Sequence, residues 1–296
     1  MKSNNFFIQE GEIMAKIAIL TDSTAYLEKD YVKKHNIRVI PLNLHWGEDL
    51  YKDNVNITSD EFYTKLKTSE TIPTTSQPTY GDFEVIFKED AADYDAIIAV
   101  LLSSGISGTV DSALMAQKLL KDIPIEVVDT KTTAGGLAMI VNAVADAVES
   151  GKTAKEAADL ARKIAKSTGT YFVVDTLKYL HKGGRIGGAS RYFGTALNIK
   201  PILYLNDEGK IEALEKVRTK KKAVSRLIEL VKEKANGEKC HLAIYHAQAL
   251  KEAEAMRDEI EGTLDCHKVE IYNLSPVIGA HVGEGALGIS IHTVNY

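Results

Sequence analysis

DYDAIIAVLLSSGISGTVDSALMAQKLL, residues 93–120, holds the turn whose reading decides the fold. Its first part closes on an apolar run, Ile97 to Leu102, with only Ala99 small. A short unbroken run of that kind is what a strand covered on both faces requires. Its last part places Val110, Leu114 and Leu119 at roughly helical spacing, so a helix follows. Between them stands SSGISGT, Ser103–Thr109, with four hydroxyls and two glycines. Gly105 and Gly108 let backbone N–H groups approach a ligand, and a helix start adds unpaired donors. Such a turn suits the oxygens of an anion; the same residues also suit a plain helix cap.

Outward from this turn, strands and helices alternate. KIAIL (16–20) is a strand ending in TDST (21–24), and a charged helix covers about 27–34. IRVIPLNLHW (37–46) reads as one strand, with Pro41 arguing for an edge or a bulge. Thr58 and Glu61 have capping-box spacing at the start of the next helix. PTTSQPT (73–79) reads as a rigid extended loop. IPIEVVDT (123–130) is a further strand. The helix after it carries Leu137, Ile140, Val141, Val144 and Val148 on one face, with Gly151 as its cap. Repeated βα units with polar turns imply a doubly wound parallel sheet whose site lies at the strands' carboxyl edge.

Beyond Gly151 the texture changes. TAKEAADLARKIAKS is an alanine-rich helix and TYFVVDT a strand; LKYLHKGGRIGGASRYFGTAL (177–197) is glycine-rich and irregular. Glu208-Gly209 marks an antiparallel hairpin, and helices alternate with strands until the glycine-rich SPVIGAHVGEGALG and a last strand. The expected class is α/β: an N-terminal doubly wound parallel sheet (16–150) packed against a C-terminal mixed α/β sandwich (151–296).

The 296 residues carry a net charge of −5 and 45% apolar residues, an ordinary globular composition without the basic excess of a nucleic-acid binder. No apolar run approaches the ~20 residues of a membrane span. Cys240 and Cys266 stand far apart and form no CxxC, which suits reduced thiols in a cytoplasmic protein. Glu10-Gly11-Glu12 precedes Met14. Its codons could read as a purine-rich ribosome-binding sequence, so the expected natural start is Met14, with residues 1–13 an extension.

No P-loop or HExxH is present, and no nucleotide cofactor or metal is expected. GISG departs from the GxSxG elbow. Ser104 or Ser107 with His281 and Asp22 could still form a triad, which leaves a Ser/His acyl hydrolase as the alternative. Arg185, flanked by glycines in HKGGRIGG, either points into a cleft or ties down the local backbone. His281 is likewise either a ligand or a structural histidine. Hydroxyls, one arginine and one histidine spread over both halves suit recognition of a carboxylate or phosphate.

TDST, TTSQPT, SSGISGT, LHKGGRI and IGAHVGEGALG, in this order, resemble the bacterial DegV family from about Lys16 to His292. That family comprises fatty-acid-binding subunits of fatty acid kinase. The resemblance implies a two-domain α/β protein with a long-chain fatty acid between its domains and no activity alone. It implies that a separate ATP-binding kinase subunit phosphorylates the carboxylate, in service of phospholipid metabolism. It also implies that Thr75, Ser104 and His281 bind the carboxyl group, with Ser103 and Arg185 near it and Arg218 on the docking surface. A cytoplasmic location, with transient membrane-surface contact for lipid exchange, follows from the same likeness.

Overall fold

The structure, a computed structural model, describes residues 15–194 and 199–295. The expected start at Met14, with residues 1–13 as an extension, lies outside them, as do residues 195–197 of the irregular segment. In chain order the first part comprises β1 (Ile17–Asp22), α1 (Lys29–Lys34), β2 (Ile37–Ile40), β3 (Asn43–Trp46), β4 (Asp49–Lys52) and α2 (Ser59–Thr68). There follow β5 (Thr74–Ser76), α3 (Tyr80–Asp93), β6 (Ala96–Leu101), α4 (Thr109–Leu119), β7 (Ile125–Asp129), α5 (Ala134–Glu149) and α6 (Ala154–Ser167). The rest is β8 (Gly169–Val173), α7 (Lys178–Lys182), β9 (Lys200–Leu205), β10 (Ile211–Val217), α8 (Lys220–Ala235) and β11 (Cys240–His246). Last come α9 (Leu250–Glu261), β12 (Cys266–Asn273), α10 (Pro276–Val282) and β13 (Leu287–His292).

The first sheet is parallel, in the order β2-β1-β6-β7. Every residue of β6 is buried, because both faces are covered. Alternation divides its side chains: Ile97, Ala99 and Leu101 pack with Phe83, Phe87 and Ala113 of α3 and α4, while Ile98 and Val100 face the molecule's interior. The second sheet is mixed, in the order β10-β9-β8-β13-β11-β12, with only β11 and β12 parallel. Its outer face is covered by α8 and α9. The chain's last strand, β13, lies inside this sheet rather than at its edge.

Between the two sheets lies α5, which touches β1 and β6 on one side and β11, β12 and β13 on the other. The apolar face expected of this helix therefore becomes a helix buried nearly all round. Gly135 allows that contact, since a Cβ there would stand 2.5 Å from the Ala243 Cβ of β11. α6 packs on β6 and β7, so the first sheet's helical layer runs to Ser167, past the division expected at Gly151.

Residues 37–46 are two strands, not one. Pro41 has no N–H to give a ladder, and there the chain leaves the edge of the parallel sheet. Beyond it β3 pairs with β4 and β5 in a small antiparallel sheet. The extended loop expected at 73–79 thus contains a short strand that carries Thr75. The hairpin at Glu208-Gly209 forms as expected, with Gly209 at φ +72°.

Candidate functional site

The carboxyl end of the parallel sheet, the small sheet and the second sheet together line a pocket with about 820 Å³ of empty space, open solvent included. Most of its wall is apolar, including Leu42, Leu102, Phe172, Leu180, Ile278 and Leu287. A polar group also lines it: Thr75 and Ser76 from the small sheet, Gln77 just after it, Ser107 from the turn after β6, Arg185 after α7, and His281 on α10.

Buried polar contacts set α10. The Asp53 carboxylate accepts hydrogen bonds from the Val277 N–H at 3.1 Å and the Ser23 hydroxyl at 2.7 Å. The Ser275 N–H donates to the Tyr26 hydroxyl at 3.1 Å. Burial pushes the Asp53 carboxyl up to about 6, although these donors favour its charged form. One turn further along, His281 Nε2 lies 2.7 Å from Thr75 Oγ1. Nδ1 is buried with no hydrogen-bond partner among the described residues and rests against Gly183, where a Cβ would stand 2.2 Å away. Burial, and then the neighbouring Arg185 charge, push the imidazole down to about 4, so it is neutral at neutral pH.

Arg185 is held by two carbonyls, donating from Nε to Ile106 at 3.0 Å and from Nη1 to Gly183 at 2.7 Å. No acidic side chain among the described residues pairs with it. Both readings of this residue are therefore met: it ties the glycine loop and it lines the cavity. Ser107 Oγ lies 2.9 Å from Thr109 Oγ1 and accepts from the Thr109 N–H at the start of α4.

The structure does not bring Ser104 to this group. Ser104 is exposed, its N–H donates to Asp129 and its hydroxyl accepts from Lys131 Nζ at 3.0 Å. Ser103 is fully buried, with its hydroxyl donating to the Gly209 carbonyl of the hairpin at 2.9 Å. It stitches the two halves together and is absent from the cavity wall. The reason is local: the first two serines turn along the sheet edge, and only the third reaches the cavity as α4 begins. Ser76 and Gln77 were visible beside Thr75 in TTSQPT, but no rule of spacing separates them from other loop polar residues. Arg218 is exposed just past β10 and has no ion pair among the described residues.

A Ser-His-Asp triad is not assembled. Asp22 is fully buried and accepts from the Thr24 N–H, the Thr24 hydroxyl and the Leu102 N–H. His281 has Thr75 for its partner, and no carboxylate orients its ring. Among the described residues no group of His, Cys, Asp or Glu could hold a metal ion, and no helix is long and apolar enough to cross a membrane.

Comparison with known proteins agrees with the sequence motifs. The DegV family, described as uncharacterised, matches residues 16–294. A DegV domain-containing protein of Halalkalibacterium halodurans is 41% identical over 279 residues, 94% of this chain and 98% of the relative. Protein DegV of Bacillus subtilis is 37% identical over 92% of this chain and 98% of its own length. Among solved structures, a fatty-acid-binding DegV family protein from Thermus thermophilus superposes with a TM-score of 0.89 at 30% identity, covering 94% of this chain and all of the other. Bacillus subtilis DegV, described as a fatty acid binding protein, superposes at 0.87 with 34% identity, covering 95% of this chain and all of the other.

Proposed function

This chain belongs to the DegV family, and on that premise we propose that it binds one long-chain fatty acid in the cavity between its sheets. The observation that carries this reading is the union of an apolar cavity with a polar end whose fixed cation, Arg185, has no acid partner among the described residues. A carboxylate would supply that partner. Thr75, Ser107 and the neutral His281 would add hydrogen bonds. The chain would supply most of the affinity: roughly 15 methylenes at ~0.8 kcal/mol each amount to about 12 kcal/mol before association costs.

The acyl group is held so that a separate ATP-dependent kinase subunit can phosphorylate the carboxylate; this chain does no chemistry alone. The family likeness supports that role, with a cytoplasmic setting, phospholipid metabolism as its context and brief membrane-surface contact for exchange. Native mass spectrometry of the purified chain tests the binding. A co-purified fatty acid is expected, whereas an empty chain that cleaves esters in a serine-dependent way would restore the hydrolase. Arg218→Ala tests the partner: lipid occupancy should be unchanged, and the concentration of this chain that half-saturates the kinase subunit should rise. An unchanged half-saturation would make Arg218 an ordinary surface residue.

A further inference from the structure

Two cysteines that are 26 residues apart in sequence are neighbours in the fold. Cys240 opens β11, Cys266 opens β12, and the two are direct register partners in the parallel pair. Their sulfurs lie 3.5 Å apart and both thiols are free. We propose that Cys240 and Cys266 form a thiol–disulfide site that a small-molecule disulfide oxidises to an intramolecular bridge.

Adjacent strands lie about 4.8 Å apart, inside the Cα separation of roughly 4.4–6.8 Å that a disulfide spans. The sulfurs need to approach by about 1.5 Å to reach bonding distance near 2.05 Å. The register shifts between Cys240 and Leu242, so the ladder is already irregular beside the pair and can absorb a change of side-chain rotamer. Cys240 is fully buried and Cys266 only partly so, which sets the order of events. The Cys266 thiolate attacks one sulfur of the reagent, forming a mixed disulfide and expelling one thiolate. Cys240 then loses its proton, attacks the Cys266 sulfur and expels the second. Two protein thiols become one disulfide, and the reagent leaves as two thiols.

Burial pushes the Cys240 thiol up to about 12 and raises that of Cys266 as well. Oxidation should therefore be slow near neutrality and quicken about tenfold per pH unit, as the thiolate fraction does. The bridge would lie at the amino-terminal ends of β11 and β12, whereas Tyr245 and Leu274, which line the cavity, lie at or beyond their other ends. Lipid occupancy should not change.

The test treats native, full-length protein with oxidised glutathione between pH 7 and 9. Free thiols are titrated with time, and non-reducing peptide maps locate the link. Loss of both thiols, a Cys240–Cys266 cross-linked peptide, monomeric protein and reversal by a reductant are expected. Cys240→Ser should stop at the glutathione adduct on Cys266. A persistent adduct on the unsubstituted chain, a covalent dimer, or a cross-link that forms only in denaturant would overturn the proposal.

Discussion

His281 shows how far one side chain depends on its surroundings. Its ring is neutral because it is buried beside Arg185, and it is aimed by Thr75 on one side and Gly183 on the other. The hydroxyls around it are unequal, which makes the first prediction specific. Ser107→Ala should weaken binding of a fluorescent fatty acid about 2- to 10-fold, as for one hydrogen bond of ~0.5–1.5 kcal/mol. Ser104→Ala should change it less than twofold; the reverse ranking in a competition titration would move the head group to the outer edge of the turn. The second prediction concerns Asp53, whose carboxyl is raised from its ordinary value to about 6 in the folded chain. The folded state thus holds this proton more tightly than the unfolded state. The associated stability is present at low pH and is lost as pH rises through roughly 4 to 6, on the order of 2–3 kcal/mol. Asp53→Asn should lack that decline, so the difference between variant and wild-type urea midpoints should shift in the variant's favour as pH rises from about 4 to 6; parallel pH profiles would show that Asp53 ionises freely.

Helix α10 brings Ile278 and His281 to the cavity, and its position depends on contacts that no local pattern encodes. Its first turn is held by Asp53, from the loop after β4, and its ring-bearing turn packs on α7. Gly183 closes α7 with φ −78°, a conformation open to any residue, so the demand for glycine there is purely one of space. Gly183→Ala should push the imidazole from Thr75, lower stability by ~1–3 kcal/mol and weaken fatty-acid binding. Wild-type affinity and melting temperature together would show that α7 does not position His281. Some elements were plain in sequence because their signals are short-range. The capping box expected at Thr58 forms, with Glu61 three residues on, and the structure adds the same device at Thr79 and Thr153. The three-stranded sheet was not plain: β4 and β5 are short, and each is defined by pairing with β3 rather than by a pattern of its own.

Across the whole molecule, the cavity is part of the same interior that joins the two sheets. Removing a bound fatty acid should therefore affect global stability rather than one loop. Protein stripped of lipid on a hydrophobic resin should melt several degrees lower, and added fatty acid should restore the midpoint in proportion to the logarithm of its concentration. A midpoint indifferent to lipid would separate the cavity from the folding core. The parallel sheet, its polar turns and the glycine-bounded histidine and arginine were legible in the sequence alone, because alternation, helical spacing and turn chemistry act over a few residues. The ordered motifs carried the family likeness from Lys16 to His292. Which serine of SSGISGT meets the cavity, that α5 is buried between two sheets, and that Cys240 touches Cys266 were decided only by the tertiary structure. Each of these depends on what packs against a residue from distant parts of the chain, and a polar or apolar side chain looks the same in sequence whether it lines a cavity or fills a core.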